Sequence, residues 1–222
     1  MQPMNQGQGN LGNHQPNQMK QPSNQAGMTK PGQSLNHGGH ELFDAHEVIA
    51  GIISMLDQYQ MYEQHIQDPA LKDILQRQTT FVTKTYNTIV ESFQTGHDPK
   101  VPTQEYKMQQ SNNIVYGIQA GKPKKPNAST SELSDQGISA YMLGNAKSLT
   151  SLLAMTAVEM TNPVLRRVIA DTVPNFIELS YEIFLYQNKH AYYQVPQLAE
   201  EDMINMLNSY TTVQQPPNNP LH

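Results

Sequence analysis

Residues 40–75 read HELFDAHEVIAGIISMLDQYQMYEQHIQDPALKDIL. The stretch holds one helix, a punctuation mark and the start of a second helix, and that order decides the fold class. Leu42, Ala45, Ile49, Ile52, Leu56, Tyr59 and Ile66 recur at spacings of three, four or their sum, which is the stripe of an amphipathic helix in a bundle. The spacing predicts a helix from about Glu41 to Ile66. Asp68-Pro69 follows. An Asp side chain accepts hydrogen bonds from first-turn N–H groups, and a Pro fits the first helical position, where its missing N–H is not needed. The second helix is therefore expected from Pro69 to about Gln94, with Leu71, Ile74, Leu75, Phe81, Val82, Ile89 and Phe93 on its apolar face and Gly96 as its stop.

The same grammar returns later. A helix from about Ser134 to Met160 carries Ile138, Met142, Leu149, Leu152, Leu153 and Ala157, and Asn162-Pro163 repeats the cap. A fourth helix, from Pro163 to about Tyr193, turns Leu165, Val168, Ile169, Phe176, Leu179, Ile183 and Tyr186 inward. Pro174 lies inside it and is expected to kink it at the freed carbonyl of Ala170. At one constant offset Pro69 aligns with Pro163, Leu71 with Leu165, Ile74 with Val168 and Ile89 with Ile183, the pattern of a duplicated hairpin. The alternative is that any two antiparallel hairpins share this punctuation.

Between the hairpins, residues 97–131 carry Pro99, Pro102, Gly117, Gly121, Pro123 and Pro126. They read as a long crossover with one short helix near Gln104–Gln110, because the chain must travel the bundle's length before the next hairpin starts. A short fifth helix from about Gln197 to Ser209 presents Leu198, Met203, Met206 and Leu207 for docking on the bundle. The fold class is thus all-α: a ferritin-like four-helix bundle of two hairpins with a long crossover, over residues 39–213. Residues 1–38 are nearly all Gln, Asn, Gly, Pro, Met and Ser, and 214–222 read QQPPNNPLH. Neither can bury enough apolar surface to offset its ordering entropy, so both are expected to be disordered tails.

Composition excludes several classes. The chain has no Cys, hence no disulfide, no thiolate nucleophile and no zinc–thiolate site. A net charge of −5 gives no electrostatic footprint for nucleic acid. No run of about 18 apolar residues exists to span a membrane. The N-terminus lacks the charged and apolar regions of a secretory signal, and synthesis and retention in the cytoplasm are expected.

A bundle of this kind invites a dimetal centre, which needs Glu residues from two helices and Glu-x-x-His from the other two. Helix two carries Glu91 late and has no His. Helix four carries Glu178 and Glu182, but three residues beyond them stand Tyr181 and Leu185. Glu63 falls about 20° from Leu56 on the apolar stripe, and His46 lies about 80° off it. Glu63 sits in the last turn, with its head expected in water; His46 reads as a boundary residue and His65 as surface. Glu178 and Glu182 turn away from the stripe of Phe176 and Ile183 and read as a solvated face. His37 and His40, around Gly38-Gly39, have the composition of a weak metal-binding tail. Lys122, Lys124 and Lys125 are too few for a nucleic-acid patch in an acidic chain. No phosphate-binding loop or nucleophile elbow occurs. The residues support no catalytic, cofactor-binding or metal-ligating set.

Residues 40–75, the linker NNIVYGIQAGKPKKP at 112–126 and NPVLRRVIADTVPNFIELSYEIFLYQ at 162–187 together resemble the spore coat protein F family of endospore-forming Gram-positive bacteria. The resemblance spans about residues 39–195. It implies a ferritin-like bundle and a non-catalytic structural role in the spore coat. It further implies synthesis in the mother-cell cytoplasm, deposition in the coat, and other coat proteins or further copies of the chain as partners. It carries no known catalytic residue and no cofactor. The Gln-rich head with Lys20 and Lys30, and tyrosines such as Tyr192 and Tyr193, offer groups for covalent cross-links; simple solubility and core-edge packing explain the same residues. The competing reading is a divergent ferritin-like oxidase or manganese-catalase-like enzyme, in which several of Glu63, Glu91, Glu159 and His46 would converge.

Overall fold

The computed structural model describes residues 37–214. Five α-helices follow one another: α1 (Gly39–Glu63), α2 (Pro69–Thr95), α3 (Asp135–Glu159), α4 (Pro163–Lys189) and the short α5 (Glu200–Leu207), with a single 3₁₀ turn at Thr130–Glu132 before α3. The expected tails lie outside the described residues, apart from 37, 38 and 214.

The caps work as their residue types dictate. The Asp68 carboxylate accepts from Ala70 N at the start of α2, Ser134 Oγ from Gly137 N at α3, and Asn162 Oδ1 from Val164 N and Leu165 N at α4. Each supplies an acceptor to N–H groups that have no partner inside the helix. Gly96 ends α2 at φ 66, a left-handed conformation that costs a glycine little. At the end of α4, Ala191 takes the same role at φ 55. Tyr192 N bonds Gln187 O at 2.8 Å and Ala191 N bonds Asn188 O at 3.0 Å, the paired pattern that closes a helix C-terminus. This closure stops α4 at Lys189, short of the expected Tyr193. The helix runs on through Pro174.

α1 packs on α2 and α3, and α4 packs on the same two. Polar ties fix the directions. At one end Asn162 N donates to Glu41 of α1 (2.7 Å), and Asn162 Nδ2 donates to Gly96 O behind α2 (3.1 Å). At the other end Asp135 accepts from Gln67 N and Asp68 N (2.9 and 3.1 Å), while Tyr186 OH donates to Asp68 (2.9 Å). The start of α1 therefore meets the ends of α2 and α3 and the start of α4. Helices α2 and α3 run in the same direction, and the chain between them must traverse the whole bundle, the connectivity of bundles with one long crossover. Tyr59, Leu71, Ile74, Met142, Leu153, Phe176 and Tyr186 are among the fully buried side chains of the core. Each such burial stabilises the fold by about 1.5–3 kcal/mol.

Three sequence expectations are corrected. The buried arc of α1 is Glu41, Ala45, Val48, Ile52, Met55 and Tyr59, whereas Leu42 is 38% exposed and Ile49 and Leu56 are only partly buried. α1 is flanked by two helices, so its true centre is one residue out of phase with the stripe of largest side chains. No helix forms at 104–110, because α4 side chains take up the backbone groups there. α5 forms but, among the described residues, buries none of its side chains, with only Met203 half-buried, so the expected docked apolar face is not seen.

Glu41 is the clasp of the first end. It is fully buried, and its carboxylate accepts from Thr161 N, Thr161 Oγ1, Asn162 N and His37 Nδ1. Burial alone would raise its pKa. The hydrogen bonds from Thr161, His37 and Asn162 more than offset that, and the carboxyl titrates below the usual range. A depressed folded pKa contributes stability that is complete above the unfolded value of about 4.3 and is lost as pH falls through the folded one. In urea unfolding, Glu41→Gln is expected to be less stable than the native chain at neutral pH. The gap between them narrows as the pH drops below about 4; a gap independent of pH contradicts this role.

Candidate functional site

A buried polar cluster lies between α1, α2, α4 and the crossover. Glu182 of α4 is fully buried. Its Oε1 faces Arg77 Nη2 at 2.9 Å and accepts from Gln109 N at 3.0 Å. Its Oε2 accepts from Tyr106 OH and from Gln78 Nε2, the latter at 3.3 Å. Behind these stand a second rank. Tyr59 OH donates to Gln78 Oε1 (3.0 Å), Gln78 Nε2 also reaches Leu179 O (3.1 Å), Arg77 Nη1 donates to Tyr106 OH (3.0 Å), and Arg77 Nε donates to Asp73 (2.8 Å). A carboxylate offers about four acceptor positions. Gln109, Tyr106 and Gln78 donate to three of them, and the Arg77 guanidinium stands against the carboxylate as its ion-pair partner.

The electrostatics lock these protonation states. Burial pushes the Tyr106 phenol up, and its bond to the Glu182 carboxylate and that charge push it further. Burial likewise raises Tyr59 well above the ordinary phenol range, with neighbouring charges adding to it. Burial alone would lower the Arg77 guanidinium, but bonds to Asp73 and Glu182 more than offset it and hold it charged. The phenols are donors and the guanidinium a cation at any physiological pH. A general acid or base works with a pKa near the operating pH, and these three groups are moved away from it.

The crossover is what covers Glu182. Tyr106 N donates to Asn175 Oδ1 (2.8 Å), and Asn175 Nδ2 returns a bond to Gln104 O (2.9 Å). Further on, Val115 N donates to Asn188 Oδ1 (2.7 Å) and Asn188 Nδ2 donates to Val115 O (2.9 Å). Two asparagines of α4 thus act as short strand mimics, each taking one N–H and giving one N–H to an irregular backbone. This overturns the reading of Glu182 as a solvated face. It lies on the α4 flank that turns toward α2, outside the apolar stripe, and a passing chain with no periodicity of its own closes over it. Glu178 is half-buried. It lies beside an open groove of about 830 Å³ between residues 103–108 and α4.

The other sequence candidates are dispersed. Glu63 ends α1 and accepts from Gln76 Nε2 (2.6 Å). Glu91 accepts from Lys100 N (3.2 Å) at the far end of α2. Glu159 is exposed, and so is His46, which meets the edge of Phe93 at 5.6 Å. His65 is half-buried in the turn after α1. His37 is engaged by Glu41, and His40 pairs with Asp44 at 3.0 Å. Lys20 and Lys30 lie outside the described residues. Among the described residues no group of three or more His, Asp or Glu is placed to hold a metal ion, and no helix is long and apolar enough to cross a membrane.

The fold and its polar interior define an all-α bundle in which the buried charged groups are consumed by internal contacts. Residues 134–196 match the family model of the Coat F domain. The chain is similar to the spore coat protein F-like protein YhcQ of Bacillus subtilis (strain 168), with 46% identity over 177 residues that cover 80% of this chain and 82% of that protein. No solved structure matches. This chain belongs to the spore coat protein F-like family.

Removing one partner of a buried ion pair leaves the other uncompensated. Glu182→Ala is expected to cost about 3–5 kcal/mol. Glu182→Leu combined with Arg77→Met removes both charges, and its cost is expected to be less than the sum of the two single changes. Chemical denaturation of the four proteins measures the coupling; strictly additive costs contradict a working pair.

Proposed function

We propose that this chain is a non-catalytic structural protein of the bacterial spore coat that acts by packing against other coat components. Membership of the spore coat protein F-like family supports the coat as its destination, by way of synthesis in the mother cell. The observation that carries the non-catalytic half is the internal engagement of Glu182. Tyr106, Gln78 and Gln109 donate to it and Arg77 neutralises its charge, so this buried carboxylate is engaged inside the bundle and turned away from a metal or a substrate. Glu63, Glu91, Glu159 and His46, several of which an oxidase would need together, are spread over the ends and outer faces. Buried, partnered polar groups of this kind fix which element packs where.

On this reading 39–213 is the packing unit, and the segments at 1–38 and 214–222 are tails that link it to neighbours. The metal content of the purified full-length chain tests the reading. After exposure to iron and manganese and removal of loose ions, well under one ion per chain is expected. A carboxylate-bridged centre would hold about two, and that result overturns the proposal.

A further inference from the structure

Among the described residues, helix α5 is a short element that buries none of its side chains. It is amphipathic: Met203, Met206 and Leu207 share one face, and Glu200, Glu201 and Asp202 fill the first turn. None of its residues is buried, with Met206 62% and Leu207 79% exposed. A helix of this length is marginal in water without packing. The chain leading to it is tied to the crossover: Gly117 N donates to Val195 O at 2.9 Å, and Gln119 N donates to Gln194 Oε1.

A surface of matching chemistry lies at the junction of α3, the end of α4 and the crossover. It is a cleft of about 290 Å³. Ala140, Leu143 and Gly144 of α3 supply its apolar side, with Tyr192, Tyr193, Lys124, Lys147 and the amides of Gln136 and Gln187 lining the rest. Lys147 Nζ sits 5.2 Å from the centre of the Tyr193 ring, and Lys124 Nζ lies 3.4 Å from Tyr192 O. No acidic residue lines the cleft. A Cβ added at Gly144 would meet nothing within 4 Å, so the apolar side there faces open space.

We propose that α5 of one chain docks in this cleft of a second copy. Two copies of a chain with net charge −5 repel on most of their surfaces. Here three acidic groups at the start of a helix meet two lysines, while Met203, Met206 and Leu207 cover the apolar side. Each chain offers one helix and one cleft, so reciprocal exchange closes a two-fold dimer and one-way docking extends into rings or open chains. This inference rests on the assembly role proposed above and supplies its contact.

Sedimentation of the full chain at increasing concentration tests it. Mass above the monomer is expected, declining with added salt as screened ion pairs weaken. Leu207→Asp removes the helix's apolar anchor, and Gly144→Leu fills the cleft's apolar side while favouring the α3 helix. Each is expected to weaken association by about tenfold or more and to leave the circular dichroism of the bundle unchanged. The two variants mixed regain a dimer and nothing larger, because one keeps its cleft and the other its helix. A monomer at all concentrations, association indifferent to both changes, or a mixture that stays monomeric overturns the inference. A monomeric chain that also holds no metal leaves the non-catalytic reading standing.

Discussion

The structure depends on the cost of an irregular backbone that must run the length of a helical bundle. α2 and α3 point the same way, so residues 96–134 traverse the molecule with one 3₁₀ turn as their only helix; most of them face water, and where the chain presses onto α4, as at Tyr106, its backbone groups need partners. An unpaired buried N–H or C=O costs roughly as much as a lost hydrogen bond. The polar side chains of α4 meet that demand. Asn175 and Asn188 clasp the crossover at two points, and Glu182 accepts from Gln109 N between them. Once the crossover is in place it shields Glu182, and the shielding then requires the Arg77 cation and the Tyr106 and Gln78 donors. The buried ion pair is thus a consequence of the connectivity.

The two ends of the bundle repeat the logic on a smaller scale. Each loop between paired helices is held by a carboxylate from the helix packed beside it: Glu41 reaches the α3–α4 turn, and Asp135 reaches the α1–α2 turn. These contacts are long-range in sequence and local in space. They lock the two hairpins together at both ends, while the apolar core supplies most of the favourable free energy. The charges that lie inside, Glu41 and the Glu182–Arg77 pair, are each met by partners from a neighbouring element.

Much of the fold is legible in the sequence because caps and stops are local. Asp68-Pro69, Asn162-Pro163 and Gly96 mark their boundaries through chemistry that needs only adjacent residues. The polar interior is less legible. Glu182 stands on a flank of α4, and nothing in the residues around it announces that a distant segment will cross over it. Asn175 and Glu182 are seven apart, which places two polar groups on one flank; that spacing is the trace of the clasp. Glu41 is in step with Ala45, Val48 and Ile52, and following the spacing rather than the largest side chains would have put it in the core. The absence of a Glu-x-x-His pair, by contrast, is visible from sequence alone, since i,i+3 spacing is local.

The central claim is that the crossover is a fastened part of the bundle and not a loose strap over it. Native-state hydrogen exchange at the amides of Tyr106, Gln109 and Val115 measures this directly. These protons are predicted to exchange as slowly as the interior amides of α2 and α4, opening only with large-scale unfolding. Exchange at the rate of an unprotected loop would contradict the account, because it would mean that Glu182 and Arg77 meet water whenever the strap lifts.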